Sequence, residues 1–278
     1  MSGRGECLLE FKGKDLCVRA GGQSKIFLFQ QIISRHQICC YDLLAANPVI
    51  IRKMKILNTR QVSLIHIGGF RPTGNPLASN FGLTPMALPD EKWPTFQGPH
   101  SESKSLFYIC QINLTEAPYV PELLSDIKLI TLFVHPDFVD KHFCIRAYKS
   151  LDKLVPLPVP QGATFEKGFE ARYELAEDQP HYDDPDLILP KNLANPSQEY
   201  DQTIEQFKNQ YCSKIGGYAS SIQSAPFSDI HPAKPKFCLQ IDSEAKIGLM
   251  WGDSGSFYIA RGTAPGFEDQ WFAECQFY

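Results

Sequence analysis

The chain has 278 residues, 43% of them hydrophobic and 21% charged, and its formal net charge is -4. This composition excludes a disordered chain, and the absence of any long Lys/Arg run excludes nucleic-acid binding through a broad basic surface. Nine cysteines form no C-x-x-C pair, and neither a signal peptide nor an apolar run of membrane-spanning length is recognised. We therefore expect a cytoplasmic protein with no membrane partner.

Residues 1–66 are predicted to form an N-terminal elaboration of short strands. Leu8–Phe11 and Leu16–Val18 flank a short polar stretch, which is typical of a hairpin. Val62–Ile65 predicts a further strand. The apolar residues of 26–46 favour neither the helical nor the strand period.

Residues 67–278 are predicted to form the main domain. The stretch from 68 to 100 is rich in Gly and Pro, which indicates loops. Three apolar runs then predict strands, at Leu106–Ile112, Leu129–Val134 and Phe143–Tyr148. Residues 176–197 are polar, acidic and rich in Pro, which indicates a surface loop.

One amphipathic helix is predicted, over Pro196–Cys212. Its apolar residues recur on one helical face, Asn195 supplies an N-cap, and Pro196 suits the first helical position. The apolar face consists of Tyr200, Ile204, Phe207 and Tyr211. The predicted fold class is therefore a β-rich α+β fold, in which this helix precedes the second of two related β units.

The two β units are indicated by an internal duplication over about 79–134 and 213–260. Ser79–Gly82 resembles Ser213–Gly216, and each is followed by a loop that contains Pro. Each loop leads into an apolar strand that ends in Gln-Ile-Asn (Gln111 to Asn113) or Gln-Ile-Asp (Gln240 to Asp242). Leu132–Val134 is matched with Ile247–Trp251 as the strand that follows.

Two interpretations of these strand ends remain open. Gln111, Asn113, Gln240 and Asp242 either satisfy backbone groups where each strand ends, or line a pocket between the two units. Trp251 and Asp253, beside Gly252, are candidates for binding a ligand or partner, although Asp and Gly also suit a plain turn.

These motifs resemble those of the YwqG-like family, a domain family without an established activity. The first motif runs from Ser79–Gly82 to Cys110–Leu114, and the second includes Met250–Gly255. The resemblance covers about residues 70–278, although Leu83 replaces a family glycine. It implies a β-rich α+β fold and supplies neither a cofactor nor catalytic residues.

The candidate reaction centres lack necessary parts. Ser254 within Gly252–Ser256 has no recognisable histidine base or nucleophile elbow. His181–Asp186 lacks the spacing of a calcium loop, and His135, Asp137 and His142 match no zinc pattern. Neither glycine pair continues as a phosphate loop. We expect no cofactor and no bound metal.

Two functional hypotheses follow. The first is a non-enzymatic protein-binding module, whose partner, by family analogy, is a bacterial toxin that an immunity protein neutralises. The alternative is an enzyme or small-ligand-binding protein with a site near Gln240, Asp242 and Asp253.

Overall fold

The computed structural model describes residues 59–97, 103–137, 142–181, 184 and 209–278, and the strand backbones at 8–12, 15–20 and 23–28. The chain divides into an N-terminal unit, Met1–Ile56, and a C-terminal unit, Leu57–Tyr278. The N-terminal unit contains an antiparallel sheet of β1 (Leu8–Lys12), β2 (Asp15–Ala20) and β3 (Gln23–Leu28). The predicted hairpin is confirmed by the pairing of β1 with β2.

Nearly all of the regular secondary structure in the described part of the C-terminal unit is β-strand. The strands are β4 (Arg60–Ile67), β5 (Asn80–Phe81), β6 (Met86–Ala87), β7 (Thr95–Gln97), β8 (Ser103–Ser105), β9 (Phe107–Asn113), β10 (Leu129–Val134), β11 (Phe143–Tyr148), β12 (Val155–Pro156), β13 (Phe169–Asp178), β14 (Lys214–Gly216), β15 (Lys236–Asp242), β16 (Ser256–Arg261) and β17 (Trp271–Gln276). Ten of these strands form one sheet, in the order β11-β10-β9-β5-β13-β4-β14-β15-β16-β17.

The ten-stranded sheet is curved until it is nearly closed, like a barrel. The two outermost strands, β11 and β17, pack against the same hydrophobic core. Phe143 on β11 lies 6.4 Å from Phe257 on β16, measured between ring centroids. Arg261 on β16 also binds Asp126 in the loop before β10, with Nη1 2.5 Å from Oδ1. These contacts bring the two ends of the sheet together.

The ten-stranded sheet consists of two similar groups of four strands on either side of a central pair of strands. We call β5, β9, β10 and β11 the first half-sheet, and β14, β15, β16 and β17 the second half-sheet. Between them lie β13 and β4. In this arrangement β16 occupies the place in the second half-sheet that β10 occupies in the first. The predicted strand at Ile247–Trp251 is wrong, because that stretch forms turns with one isolated bridge between Glu244 and Leu249.

The predicted α+β class with an amphipathic helix is also wrong, since the regular structure of the described residues is almost all β-sheet. The single helical element of the described residues is a 3-10 turn, Glu122–Leu124. Residues 209–212, at the end of the predicted helix, are not helical. Its residues 196–208 lie outside the described residues. Antiparallel neighbours need no helical crossover, so a sheet of this kind forms without one. No helix in the described ranges combines the length and hydrophobicity of a membrane span.

Two short segments cover the outer face of the sheet. The first strap, residues 83–94, follows β5 and crosses the first half-sheet. Ala87 of this strap packs with Leu106, Tyr108, Phe133 and Leu157 in a small outer core, and Trp93 of the strap packs against them. The second strap, residues 217–227, follows β14 and crosses the second half-sheet. The interior of the barrel is filled by aliphatic and aromatic side chains from both half-sheets.

Candidate functional site

Gln111 and Gln240 hold the two straps in the same way. The Oε1 atom of Gln111 accepts the N–H of Met86 at 2.8 Å, and that of Gln240 accepts the N–H of Ser220 at 2.9 Å. The Nε2 atom of Gln111 donates to the carbonyl of Ala78, and that of Gln240 to the carbonyl of Cys212. Both glutamines are fully buried, so these bonds satisfy backbone groups that would otherwise be costly to bury.

Asn113 and Asp242 also have corresponding bonds. The N–H of Asn113 donates to Ser79 Oγ at 2.8 Å, and the N–H of Asp242 donates to Ser213 Oγ at 2.9 Å. The Asn113 side chain then caps the following turn, with Oδ1 accepting the N–H of Thr115. The Asp242 carboxylate instead accepts Gln240 Nε2 and Ser256 Oγ, both at 2.7 Å. The four polar strand ends therefore meet in two separate groups, one in each half-sheet.

The second half-sheet contains a buried ion pair that has no equivalent in the first. Lys214 on β14 and Asp178 at the end of β13 are both fully buried, with Nζ 2.9 Å from Oδ2. The Lys214 ammonium also donates to the carbonyl of Gln210 at 2.7 Å and to Ser220 Oγ at 3.0 Å. We call Asp178, Gln210, Lys214 and Ser220 the lysine cluster. Asn80 occupies the place of Lys214 in the first half-sheet, where it pairs with Gln111.

Each polar atom at the centre of the lysine cluster has a partner. Asp178 Oδ1 accepts the N–H of Gln210 at 2.7 Å, and Oδ2 accepts the N–H of Tyr218 at 2.8 Å in addition to the lysine. The three protons of Lys214 go to three acceptors. Burial lowers the pKa of Lys214, against the opposing effect of the Asp178 carboxylate beside it.

Burial shifts the pKa values of three titratable groups around the lysine cluster. Burial, together with the charge of Lys214, lowers the pKa of His181 to about 4, so this histidine is neutral at neutral pH. Burial raises the pKa of the Cys212 thiol to about 11, which keeps it protonated and weakly nucleophilic. Burial also raises the pKa of Asp242, against the opposing effect of its bonds to Ser256 and Gln240. The cluster joins the end of β13, β14 and the second strap through buried hydrogen bonds.

Trp251 and Asp253 are neighbours in sequence but lie in different environments. Trp251 is fully buried in the core, with its ring stacked on that of Phe257 at 4.8 Å and an interplanar angle of 22°. Asp253 is exposed on the turn that follows. Gln240 and Asp242 are hydrogen-bonded to each other, and no hydrogen bond in the described structure joins either of them to Asp253.

The turn that carries Asp253 lies against the residues after β17. Gly252 has φ +50°, and an added Cβ there would approach the Phe277 ring within 2.5 Å, so the close contact requires glycine. The N–H of Tyr278 donates to the carbonyl of Asp253 at 3.4 Å. Met250, Phe277 and Tyr278 are 47%, 44% and 76% exposed. We call Met250, Asp253, Phe277 and Tyr278 the turn patch.

The structure describes the other candidate centres in part. Ser254 is exposed with φ +59°, and its hydroxyl contacts the sulfur of Met250 rather than a histidine. The His135 and His142 rings lie 5.8 Å apart, beside Phe96. Of the acidic segment after buried His181, residues 182, 183, 185 and 186 are outside the described residues. Where residues are described, no three His, Cys, Asp or Glu side chains could hold a metal ion.

Comparison with known proteins gives one positive result. A family model described as a domain of unknown function, DUF1963, matches residues 79–261. The match begins at Ser79 and ends at Arg261, so it includes both half-sheets as far as β16 and the lysine cluster between them. No curated protein matches the chain.

Proposed function

The chain belongs to DUF1963, a domain family of unknown function, and we propose that it acts as a non-enzymatic protein-binding module. The observation that carries this proposal is the turn patch, where three large, partly exposed apolar side chains lie on or next to the turn that carries the exposed Asp253. Aromatic residues and Met are enriched at protein interfaces, and an exposed cluster of them marks an interaction surface. The polar groups that would otherwise suggest catalysis are bonded internally.

The chemistry of the turn patch indicates the kind of partner that it fits. Phe277 and Tyr278 offer apolar contact area, while Met250 is a flexible side chain that adapts to the shape of a partner. Asp253 supplies a negative charge at the edge of these side chains. A protein surface that presents a Lys or Arg beside an apolar side chain would complement both features.

The proposal also includes a more specific family and a more specific kind of partner. The motifs Ser79–Gly82, Ser213–Gly216 and Met250–Gly255 support the YwqG-like family as the group to which the chain belongs. By analogy with that family, the partner would be a bacterial toxin and the chain its cytoplasmic immunity protein. The alternative, an enzyme or ligand-binding protein near Asp253, has less support because Gln240 and Asp242 are bound to each other inside the fold.

Affinity capture from the host with a tagged chain tests the binding function. We expect a partner that the unchanged chain retains and that a chain carrying both Met250→Ser and Tyr278→Ser loses. Leu175→Ser is the matched control, because Leu175 is 52% exposed but belongs to β13, outside the turn patch. Binding by the purified partner should then weaken with Asp253→Lys, and more strongly at low salt.

Two results would contradict the proposal. One is equal retention of every captured protein by the unchanged chain, the patch variant and the Leu175→Ser control. The other is saturable binding of a small molecule that is lost in Asp253→Ala, together with no protein captured by the unchanged chain. If a captured partner is a toxin, growth of cells that express it should be restored by the unchanged chain and not by the patch variant.

A further inference from the structure

Met250 places an exposed thioether side chain on the turn patch. It is 47% exposed, whereas Met86, the other methionine in the described ranges, is 4% exposed. Met250 follows Leu249 and precedes Trp251, and both of these neighbours are fully buried in the core. The backbone on either side of Met250 is therefore anchored by core residues, while its own side chain faces solvent.

The hydroxyl of Ser254 lies against this thioether. Ser254 Oγ donates to Met250 Sδ at 3.8 Å, and sulfur is a weak acceptor. The turn that joins the two residues is held by the N–H of Gly255, which donates to the carbonyl of Trp251 at 2.7 Å. Asp253 of the turn patch lies within this turn. A chemical change at Met250 therefore occurs inside the surface that the turn patch presents.

A thioether reacts with hydroperoxides in a two-electron step. A lone pair of the sulfur attacks one peroxide oxygen, so that a sulfur–oxygen bond forms and the oxygen–oxygen bond breaks. The sulfur is oxidised to a sulfoxide, and hydrogen peroxide is reduced to water. A reductase with a dithiol reverses the change, because the oxygen leaves as water while the dithiol becomes a disulfide.

The surroundings of Met250 suit the sulfoxide as well as the thioether. A sulfoxide oxygen accepts hydrogen bonds more strongly than a thioether sulfur, and the Ser254 hydroxyl already donates at this position. The product is polar where the thioether was apolar and flexible. The turn patch would then lose the apolar contact of Met250 and keep those of Phe277 and Tyr278.

Four cysteine thiols in the described part of the C-terminal unit are less open to the same oxidant. Cys110 and Cys238 are buried. Burial raises the pKa of Cys144, and it raises the pKa of Cys212 to about 11, so both remain thiols, whereas the thiolate is the nucleophile. A thioether has no proton to lose, and its rate of oxidation follows its exposure. Exposure and chemistry both favour Met250.

We infer that Met250 is a reversible oxidation site for hydroperoxides, and that its sulfoxide weakens binding at the turn patch. We call this second part the oxidation switch. The oxidation switch rests on the proposed protein-binding function, whereas the oxidation of Met250 does not. Because Met250 lies outside the hydrophobic core, the fold is preserved when the side chain becomes polar.

Treatment of the folded chain with hydrogen peroxide, followed by peptide mass spectrometry, tests the oxidation site. We expect Met250 to gain one oxygen at least about ten-fold faster than Met86, since the rate follows exposure. In urea, which exposes both side chains, the two rates should become similar. Methionine sulfoxide reductases with a dithiol should then remove the oxygen from Met250. Equal rates for Met250 and Met86 in the folded chain would overturn the site.

Capture of the protein partner before and after peroxide treatment tests the oxidation switch. The oxidised chain should retain about five-fold less partner, the effect of losing one apolar contact at an interface, and reduction should restore it. Met250→Leu cannot form a sulfoxide, so the amount that it captures should be the same with and without peroxide.

Three outcomes would overturn the oxidation switch. The first is full retention of the partner when Met250 is completely oxidised. The second is an equal loss by Met250→Leu on treatment, which would assign the effect to another residue, such as the partly buried Cys275. The third is an untreated chain that captures no partner, which would overturn the binding function as well, while the mass spectra still decide the oxidation site.

Discussion

Lys214 is the buried charge on which the junction between β13, β14 and the second strap depends. Lysine is rarely fully buried, and removing two charges from water is expensive unless they are paired and hydrogen-bonded. Asp178, Gln210 and Ser220 provide that pairing. The cluster is therefore sensitive to the loss of either charged partner.

We expect Lys214→Met to lower the free energy of unfolding by about 3 kcal/mol, because the Asp178 carboxylate would remain buried without its cation. Urea denaturation measures the change. Lys149→Met is the control, since Lys149 is 62% exposed in its contacts with Asp126 and Asp269 and exposed pairs contribute at most about 1 kcal/mol. If both variants lose the same free energy of unfolding, the buried pair contributes no more to stability than the exposed one.

The sequence identified part of this chemistry at the level of residues. Gln111 and Gln240 were recognisable because a polar side chain at the end of an apolar strand needs partners. Lys214 gave no such signal, since a lysine in Ser213–Gly216 suggests an exposed position. Its burial follows from the arrival of Asp178, which lies 36 positions earlier and which no local pattern links to it.

At the scale of elements, each strap is fastened to its half-sheet by one glutamine. Gln111 binds Met86 and Ala78, while Gln240 binds Ser220 and Cys212. Each glutamine thus connects the segments before and after its short strand, β5 or β14. The two attachments belong to different half-sheets and share no residue.

Gln111→Leu should loosen only the first strap, and Gln240→Leu only the second. Each change leaves a buried strap N–H without its acceptor, at a cost of about 1–3 kcal/mol. Native-state hydrogen exchange at the amides of Met86 and Ser220 measures the effect separately in each half-sheet. Each variant is the control for the other, and faster exchange of both amides in either variant would contradict independent attachment.

Elements with continuous apolar sequences were the easiest to predict. The strands at β9, β10 and β11 follow from such runs. β13 was not predicted, although Phe169, Ala171, Tyr173 and Leu175 alternate with other residues along it. The prediction of a strand at Ile247–Trp251 was wrong because an apolar sequence indicates burial but not the type of structure. A buried turn that packs Leu249 and Trp251 into the core is as apolar as a buried strand.

At the scale of the whole molecule, the contact between Arg261 and Asp126 closes the sheet. Arg261 Nη2 lies 3.0 Å from Asp126 Oδ2, and Nη1 donates to the carbonyl of Leu123 at 2.7 Å. The bond to Arg261 lowers the pKa of Asp126 to about 2. This shift means that the closed fold favours the charged carboxylate.

Arg261→Met should destabilise the C-terminal unit by about 2 kcal/mol, the loss of charge-assisted hydrogen bonds at a partly exposed contact. The Asp126 contribution is fully present above the ordinary carboxyl pKa near 4 and is lost as pH falls towards 2. The difference between variant and unchanged chain should therefore shrink over that range in denaturation experiments. Arg172→Met, on an exposed arginine, is the control, and a difference independent of pH would contradict the assigned role.

The central pair of strands has a consequence for synthesis on the ribosome. β4 precedes the first half-sheet in sequence, yet its two neighbours are β13 and β14, both from the later part of the chain. Leu64 on β4 pairs with Lys214, which is synthesised about 150 residues later, so β4 is fully paired only after that point. The nascent chain must carry β4 with both edges open until β13 has emerged, and with one edge open until β14 follows. During that interval an apolar strand is exposed to other chains, so chaperone capture of β4 would protect it.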